Sequence, residues 1–277
     1  MPAGRDHIVD RLIAERAPNL ADSAAWPVLR PLLYRLLNYA KARRMADAMG
    51  PKGGRAALDL VSDLLRVKVT VTGLERVPRA GRFIAVCNHP TGIADGVAVY
   101  DALKGLRPDV MFYANADAHR VVALFDEVLI PVEWVEEKRT RERTRQTLIQ
   151  TRAAMEAERP LVIFPAGRLA RRTTGRHAVD PEWAPSAVSI ARKYSAPILP
   201  MHLAGPWPTL FHFFDGFSTE LRDITLFHEL LNKQGGQFRL TIGPLIAVAE
   251  APAADAASML KTYVETVLSL DPDRRFA

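Results

Sequence analysis

Between the apolar run Phe83-Ile84-Ala85-Val86-Cys87 and the helix-compatible run Val97 to Leu103 lies Asn88-His89-Pro90-Thr91-Gly92-Ile93-Ala94-Asp95-Gly96. The first run reads as a short buried strand, which makes the stretch a strand–loop–helix junction. In α/β sheets, ligands bind outside the carboxyl ends of strands, where such junctions lie. A neutral imidazole can take a proton from a hydroxyl near pH 7, provided that a carboxylate fixes its tautomer and steadies the imidazolium. His89 and Asp95 are therefore the candidate catalytic pair. A lone His–Asp pair does not establish catalysis, so the rest of the chain has to decide.

The surrounding pattern alternates strands with helices. Val67 to Thr72 has period two and reads as a strand closed by Gly73, with a turn at Val77-Pro78-Arg79-Ala80-Gly81. Apolar strand candidates follow at 110–114, 128–132, 161–164, 197–201 and 237–242, and helices are expected at 56–65, 136–158, 185–194, 219–233 and 253–270. The 136–158 helix carries Glu137/Arg141 and Glu142/Gln146 at i,i+4 spacing, and its charges read as a solvated face. This alternation predicts an α/β fold. No internal repeat, Gly-rich dinucleotide motif or Walker motif is present. A chain of 277 residues suits one large α/β domain, or a domain plus a small helical appendage. The division is expected near Arg66, with residues 1–66 as an N-terminal helical region and 67–277 as the α/β domain.

Charge narrows the partners. The net charge is +6, which suits anionic surfaces, nucleic acid, or phosphorylated and CoA-linked substrates. Aromatic residues do not interleave with the basic ones, which argues against nucleic acid. The run Trp26 to Arg44 places Leu29, Leu32, Leu33, Leu36, Leu37 and Ala40 at helical spacing, and Arg30, Lys41, Arg43 and Arg44 add positive charge without a single acid in the run. Such a helix either lies in a membrane interface or packs on its own core with its cations solvated. No apolar run approaches the roughly 18 residues of a membrane span. The amino terminus lacks the apolar segment of a signal peptide, so a cytoplasmic protein, free or attached to the inner face of the membrane, is expected. Cys87, the single cysteine, excludes an internal disulfide and reads as buried and inert. His119, His177, His202, His212 and His228 show no metal spacing and read as structural. Trp207 to Phe214 either lines an apolar channel, touches a bilayer or packs in the core.

A second segment carries chemistry: Phe164-Pro165-Ala166-Gly167-Arg168-Leu169-Ala170-Arg171-Arg172. A strand ending in Pro-x-Gly exposes backbone amides, and the arginine fork matches phosphate or carboxylate. The loop is a plausible anion clamp or simply an exposed basic loop. Asn88-His89…Asp95, Phe164-Pro165-Ala166-Gly167 and Ala196-Pro197-Ile198-Leu199-Pro200 together, in this order, resemble the glycerolipid acyltransferase family, typified by 1-acylglycerol-3-phosphate acyltransferase. The resemblance covers residues 67 to 205. It departs in three places. Five residues separate His89 from Asp95 where the family has four, which calls for a local bulge that Gly92 can supply. Ala166 stands where the family has Glu. Around Asp126-Glu127-Val128-Leu129-Ile130-Pro131, the arginine of the family's third block is missing. With the segment Glu220 to Lys233, these departures resemble the divergent bacterial branch that includes hemolysin-like and ornithine-lipid acyltransferases.

The resemblance implies a central mixed, largely parallel sheet flanked by helices. It also implies acyl transfer from acyl-CoA or acyl-carrier protein to the hydroxyl of a lysophospholipid such as lysophosphatidate, or of a lyso-ornithine-type lipid. His89 would be the general base and Asp95 its orienting acid. Asn88, backbone amides near Gly167, and Arg168, Arg171 and Arg172 would contact substrate. No metal or further cofactor is implied, and the partners would be an acyl donor, a lysolipid and a membrane surface. A catalytically degenerate member acting as a basic membrane-binding protein is the competing expectation.

Overall fold

The computed structural model describes residues 7–133, 140–173, 178–248 and 255–276. Helices α1 (Ile8–Arg16), α2 (Pro18–Ala21), α3 (Trp26–Leu36), α4 (Tyr39–Met49) and α5 (Gly54–Leu65) precede β1 (Lys68–Thr72) and β2 (Ile84–Cys87). Then follow α6 (Ile93–Leu103), β3 (Met111–Asn115), α7 (Ala118–Val121), β4 (Leu129–Val132), α8 (Arg141–Glu156) and β5 (Leu161–Ile163). A short hairpin of β6 (Arg171–Arg172) and β7 (Ala178–Val179) leads to α9 (Ser186–Lys193) and β8 (Ile198–Ala204). The chain closes with α10 (Thr209–Asp215), α11 (Thr219–Asp223), α12 (Leu226–Leu231), β9 (Gln237–Ile242) and α13 (Ala256–Thr262).

The main sheet has seven strands in the order β1-β9-β8-β2-β5-β3-β4. β8, β2, β5, β3 and β4 run parallel, β9 lies antiparallel to β8, and β1 is parallel to β9. The sheet is thus mixed and largely parallel, as the sequence led us to expect. Strand burial explains why the apolar runs were legible: every residue of β2 and β5 is buried, because helices cover both faces. Alternation then sorts the side chains. Ala85, Cys87, Val162 and Phe164 join the core beneath the N-terminal helices, α6 and α12, whereas Ile84, Val86, Leu161 and Ile163 join the core with residues of α8, α9 and α13.

Several expected elements differ. The Trp26–Arg44 helix is broken at Asn38, whose φ of 56° ends α3 and starts α4. Its leucines also divide: Leu37 is buried and Leu33 packs on the core, while Leu29, Leu32 and Leu36 point outward beside Val28. The basic run is partly neutralised from outside it, because Arg30 pairs with Asp10 at 3.4 Å and Arg43 with Asp47 at 3.9 Å. Val9, Leu12, Ile13, Ala42, Met45 and Met49 are all buried. Most of them join the same core as one sheet face, so residue 66 marks a change of architecture inside one shared core. The 219–233 helix is split into α11 and α12, and Trp207–Phe214 contributes the unforeseen α10. The closing helix passes from α13 into a π-helical turn at Tyr263–Val267. The starts of the 136–158 and 253–270 helices, and His177, lie outside the described residues.

Candidate active site

Past Cys87, which pairs with Met201, the polypeptide leaves the β2–β8 ladder. Asn88 extends that ladder with its side chain: Nδ2 donates to the Leu203 carbonyl at 2.9 Å, and Oδ1 accepts the Leu203 N–H at 2.6 Å. Asn88 is buried. Its amide is engaged in holding two strands together, which differs from the expected substrate contact. Cys87 is fully buried, and burial pushes its thiol well above the usual range, in line with an inert side chain.

His89 follows, its ring against Phe164 with centroids 4.6 Å apart. Nδ1 lies 2.9 Å from Oδ2 of Asp95. Asp95 is fully buried and also accepts the Thr91 N–H at 2.9 Å, the Gly92 N–H at 3.0 Å and the Thr91 hydroxyl. A carboxylate so surrounded by donors is fixed in place, so Nδ1 carries the proton and Nε2 is left as the basic nitrogen. Nε2 has no partner among the described residues. The extra residue in the His–Asp interval is absorbed at Gly92, with φ 98° and ψ −142°. A side chain there would be strained and would press on Leu169 at 3.3 Å.

β5 adjoins β2, so the Phe-Pro-Ala-Gly turn stands next to the histidine loop. Gly167 has φ 63°, and its N–H is turned back to the Phe164 carbonyl at 3.0 Å. That bond removes the Gly167 amide itself from the expected set of free donors. Arg168 is exposed and has no partner among the described residues. Together with residues 165–167 and 182–185 it lines a cleft of about 330 Å³, which His89 and Asp95 do not line. Arg171 is not a free clamp: it pairs with Asp215 at 2.7 Å and stacks over Phe211. Arg222 joins the same carboxylate at 2.9 Å. Burial opposes ionisation of Asp215, but Arg222 and Arg171 hold its carboxyl below the ordinary value. Arg172 is exposed on β6.

Asp180 was not anticipated from sequence. It is 4% exposed, and its two oxygens face the His89 main-chain N–H at 3.1 and 3.3 Å. Oδ2 also accepts the Trp183 indole N–H at 2.9 Å. Burial pushes the Asp180 carboxyl up to about 6, while the Trp183 and His89 hydrogen bonds pull it down. His228 bonds Asn38, and burial lowers the basicity of His119, His202 and His212.

The family model described as Acyltransferase matches residues 68–204. The lyso-glycine lipid O-acyltransferase of Phocaeicola vulgatus is 27% identical over 202 residues, covering 69% of each chain. The protein of the same name from Bacteroides thetaiotaomicron is 25% identical over 148 residues, 53% of this chain and 52% of that one. A structural alignment with the 1-acyl-sn-glycerophosphate acyltransferase of Thermotoga maritima spans 95% of this chain and 96% of that one, at 15% identity and a TM-score of 0.46. With the histidine loop and the Phe-Pro-Ala-Gly turn both inside the matched segment, the chain is an acyltransferase, and its residues 68–204 belong to the Acyltransferase family.

Proposed function

We propose that this enzyme moves a fatty acyl group from a thioester, of CoA or of acyl-carrier protein, to the hydroxyl of a lysolipid. The observation that carries the reading is the 2.9 Å contact between His89 Nδ1 and the fully buried Asp95, which leaves Nε2 without a partner among the described residues. Nε2 takes the acceptor's hydroxyl proton as the oxygen attacks the thioester carbonyl. Collapse of the tetrahedral intermediate breaks the C–S bond, and the protonated ring returns its proton to the departing thiolate. Asp95 holds the ring and steadies its positive charge throughout, while the substrate supplies the nucleophile. Arg168, exposed beside the cleft, is suited to an anionic head group.

The names of the two curated relatives favour an acceptor built on an amino acid, the class that includes lyso-ornithine lipid, over lysophosphatidate. Acylation of a panel of lyso-glycine lipid, lyso-ornithine lipid and lysophosphatidate, with each donor in turn, tests the reading. Transfer should favour the amino-acid lipids and vanish in His89→Ala. If no acceptor is acylated with either donor while the folded protein binds vesicles, the catalytically degenerate reading replaces this one.

The site has to reach membrane lipid. Among the described residues, no helix is long and apolar enough to cross a membrane. Val28, Leu32 and Leu36 on α3 are exposed, as are Phe213 and Phe217 at α10 and Ile93 at the start of α6. We assign these side chains to the bilayer interface, with attachment at the inner face of the cytoplasmic membrane.

A further inference from the structure

We infer that Asp180 is a positioning residue for His89, and that the C-terminal helical segment holds Asp180 in turn through Glu265. This rests on the proposed role of His89 as the base.

Beyond Asn88 the main chain has no strand neighbour among the described residues, yet a base must stand within hydrogen-bond reach of its proton. Asp95 fixes the ring alone. The main chain of His89 is gripped separately, with its N–H on the Asp180 carboxylate at 3.1 Å and its carbonyl accepting the Ala170 N–H at 2.9 Å. Asp180 is itself braced: its N–H donates to Glu265 Oε1 at 2.7 Å, and Lys261 holds Glu265 Oε2 at 2.6 Å. Glu265 stands in the π-helical turn Tyr263–Val267, and π-turns recur at functional sites. It lies beyond the matched family segment at 68–204. Trp183, the second donor to Asp180, also lines the cleft beside Arg168. One strut therefore joins the base, the cleft and the C-terminal segment.

A buried carboxylate is a costly way to satisfy a single main-chain N–H, since a neutral acceptor would serve with less desolvation. What the carboxylate adds is two acceptor oxygens for two donors. Asparagine matches its size but would turn an amide N–H toward one of them.

The full chain with Asp180→Asn, Glu265→Gln and His89→Ala is assayed for kcat, for KM of both substrates and for Tm. Asp180→Asn should lower kcat about 10- to 100-fold, the scale expected of a misplacement near 1 Å. Both KM values should stay within about twofold, because a positioning loss acts on the transition state. Glu265→Gln keeps an acceptor for the Asp180 N–H but loses the Lys261 ion pair, so kcat should fall about threefold, by a looser version of the same misplacement. If Asp180→Asn does not fold, Glu265→Gln decides the matter on the same kcat readout. An inactive His89→Ala beside a strut variant with unchanged kcat overturns this inference alone. An active His89→Ala overturns the role of His89 and this inference with it.

Discussion

Asp95 accepts from His89, from Thr91 twice and from Gly92, a set of donors that ties the ring of His89 to the Thr91–Gly92 turn. Asp95→Asn exposes the ring to the wrong tautomer and should cut kcat about 10²- to 10⁴-fold, measured under saturating donor and acceptor. Arg168→Ala should raise KM for an anionic acceptor while leaving KM for the donor near wild type, since a head-group contact serves one substrate. Asp180 gives a prediction in pH. Its carboxyl titrates near 6 in the folded chain against an ordinary 3.8. Between those values the folded chain keeps a proton that the unfolded chain releases. The group's contribution to stability therefore falls as pH rises through the window, by about 3 kcal/mol in all. Denaturant titrations at pH 4 and pH 7 should show this decline in the wild type, and Asp180→Asn should lack that component of it. His89 and Asp95 were legible because they flank one strand end. Asp180 was not, since its contact to His89 spans 91 residues and follows no local period.

The elements show where periodicity stops being informative. Buried strands announce themselves as apolar runs because both faces are covered. Helix α3 has apolar residues on two sides, so spacing alone could not say that Leu33 faces the core while Val28, at 78% exposure, and Leu32, at 66%, face outward. Pattern likewise missed the β6–β7 hairpin, two residues long on each side, that places Arg171 against Asp215. Deleting the N-terminal helices would strip buried residues from the shared core, so interface contact is better tested by substitution. Val28→Ser with Leu32→Ser should weaken flotation with anionic liposomes severalfold and leave Tm unchanged, because those side chains are already in water. Undiminished flotation would shift the contact to Phe213 and Phe217. Gly92→Ala tests the loop instead. Forcing φ 98° on alanine costs about 1–3 kcal/mol locally, and kcat should drop with it. A variant as active as the wild type would show that the loop tolerates another path.

At the scale of the whole molecule, sequence alternation captured the fold class, and the two motifs lie side by side because β2 and β5 are neighbours in the sheet. What it could not supply was the far partner of each edge. β9 lies between β1 and β8, pairing Lys68 with Gln237 on one side and Leu203 with Leu240 on the other. This order bears on synthesis as well as on stability. As the chain leaves the ribosome, β1 emerges early and finds no neighbour until β9 follows. Until then β8 presents an open edge, and the strand that will close it is still being translated. Non-local closure of this kind is slow, and an unpaired strand edge invites association with other chains. Nascent chains halted before Gln237 should therefore engage holding chaperones, and the full chain, released with β9 and α13 in place, should not.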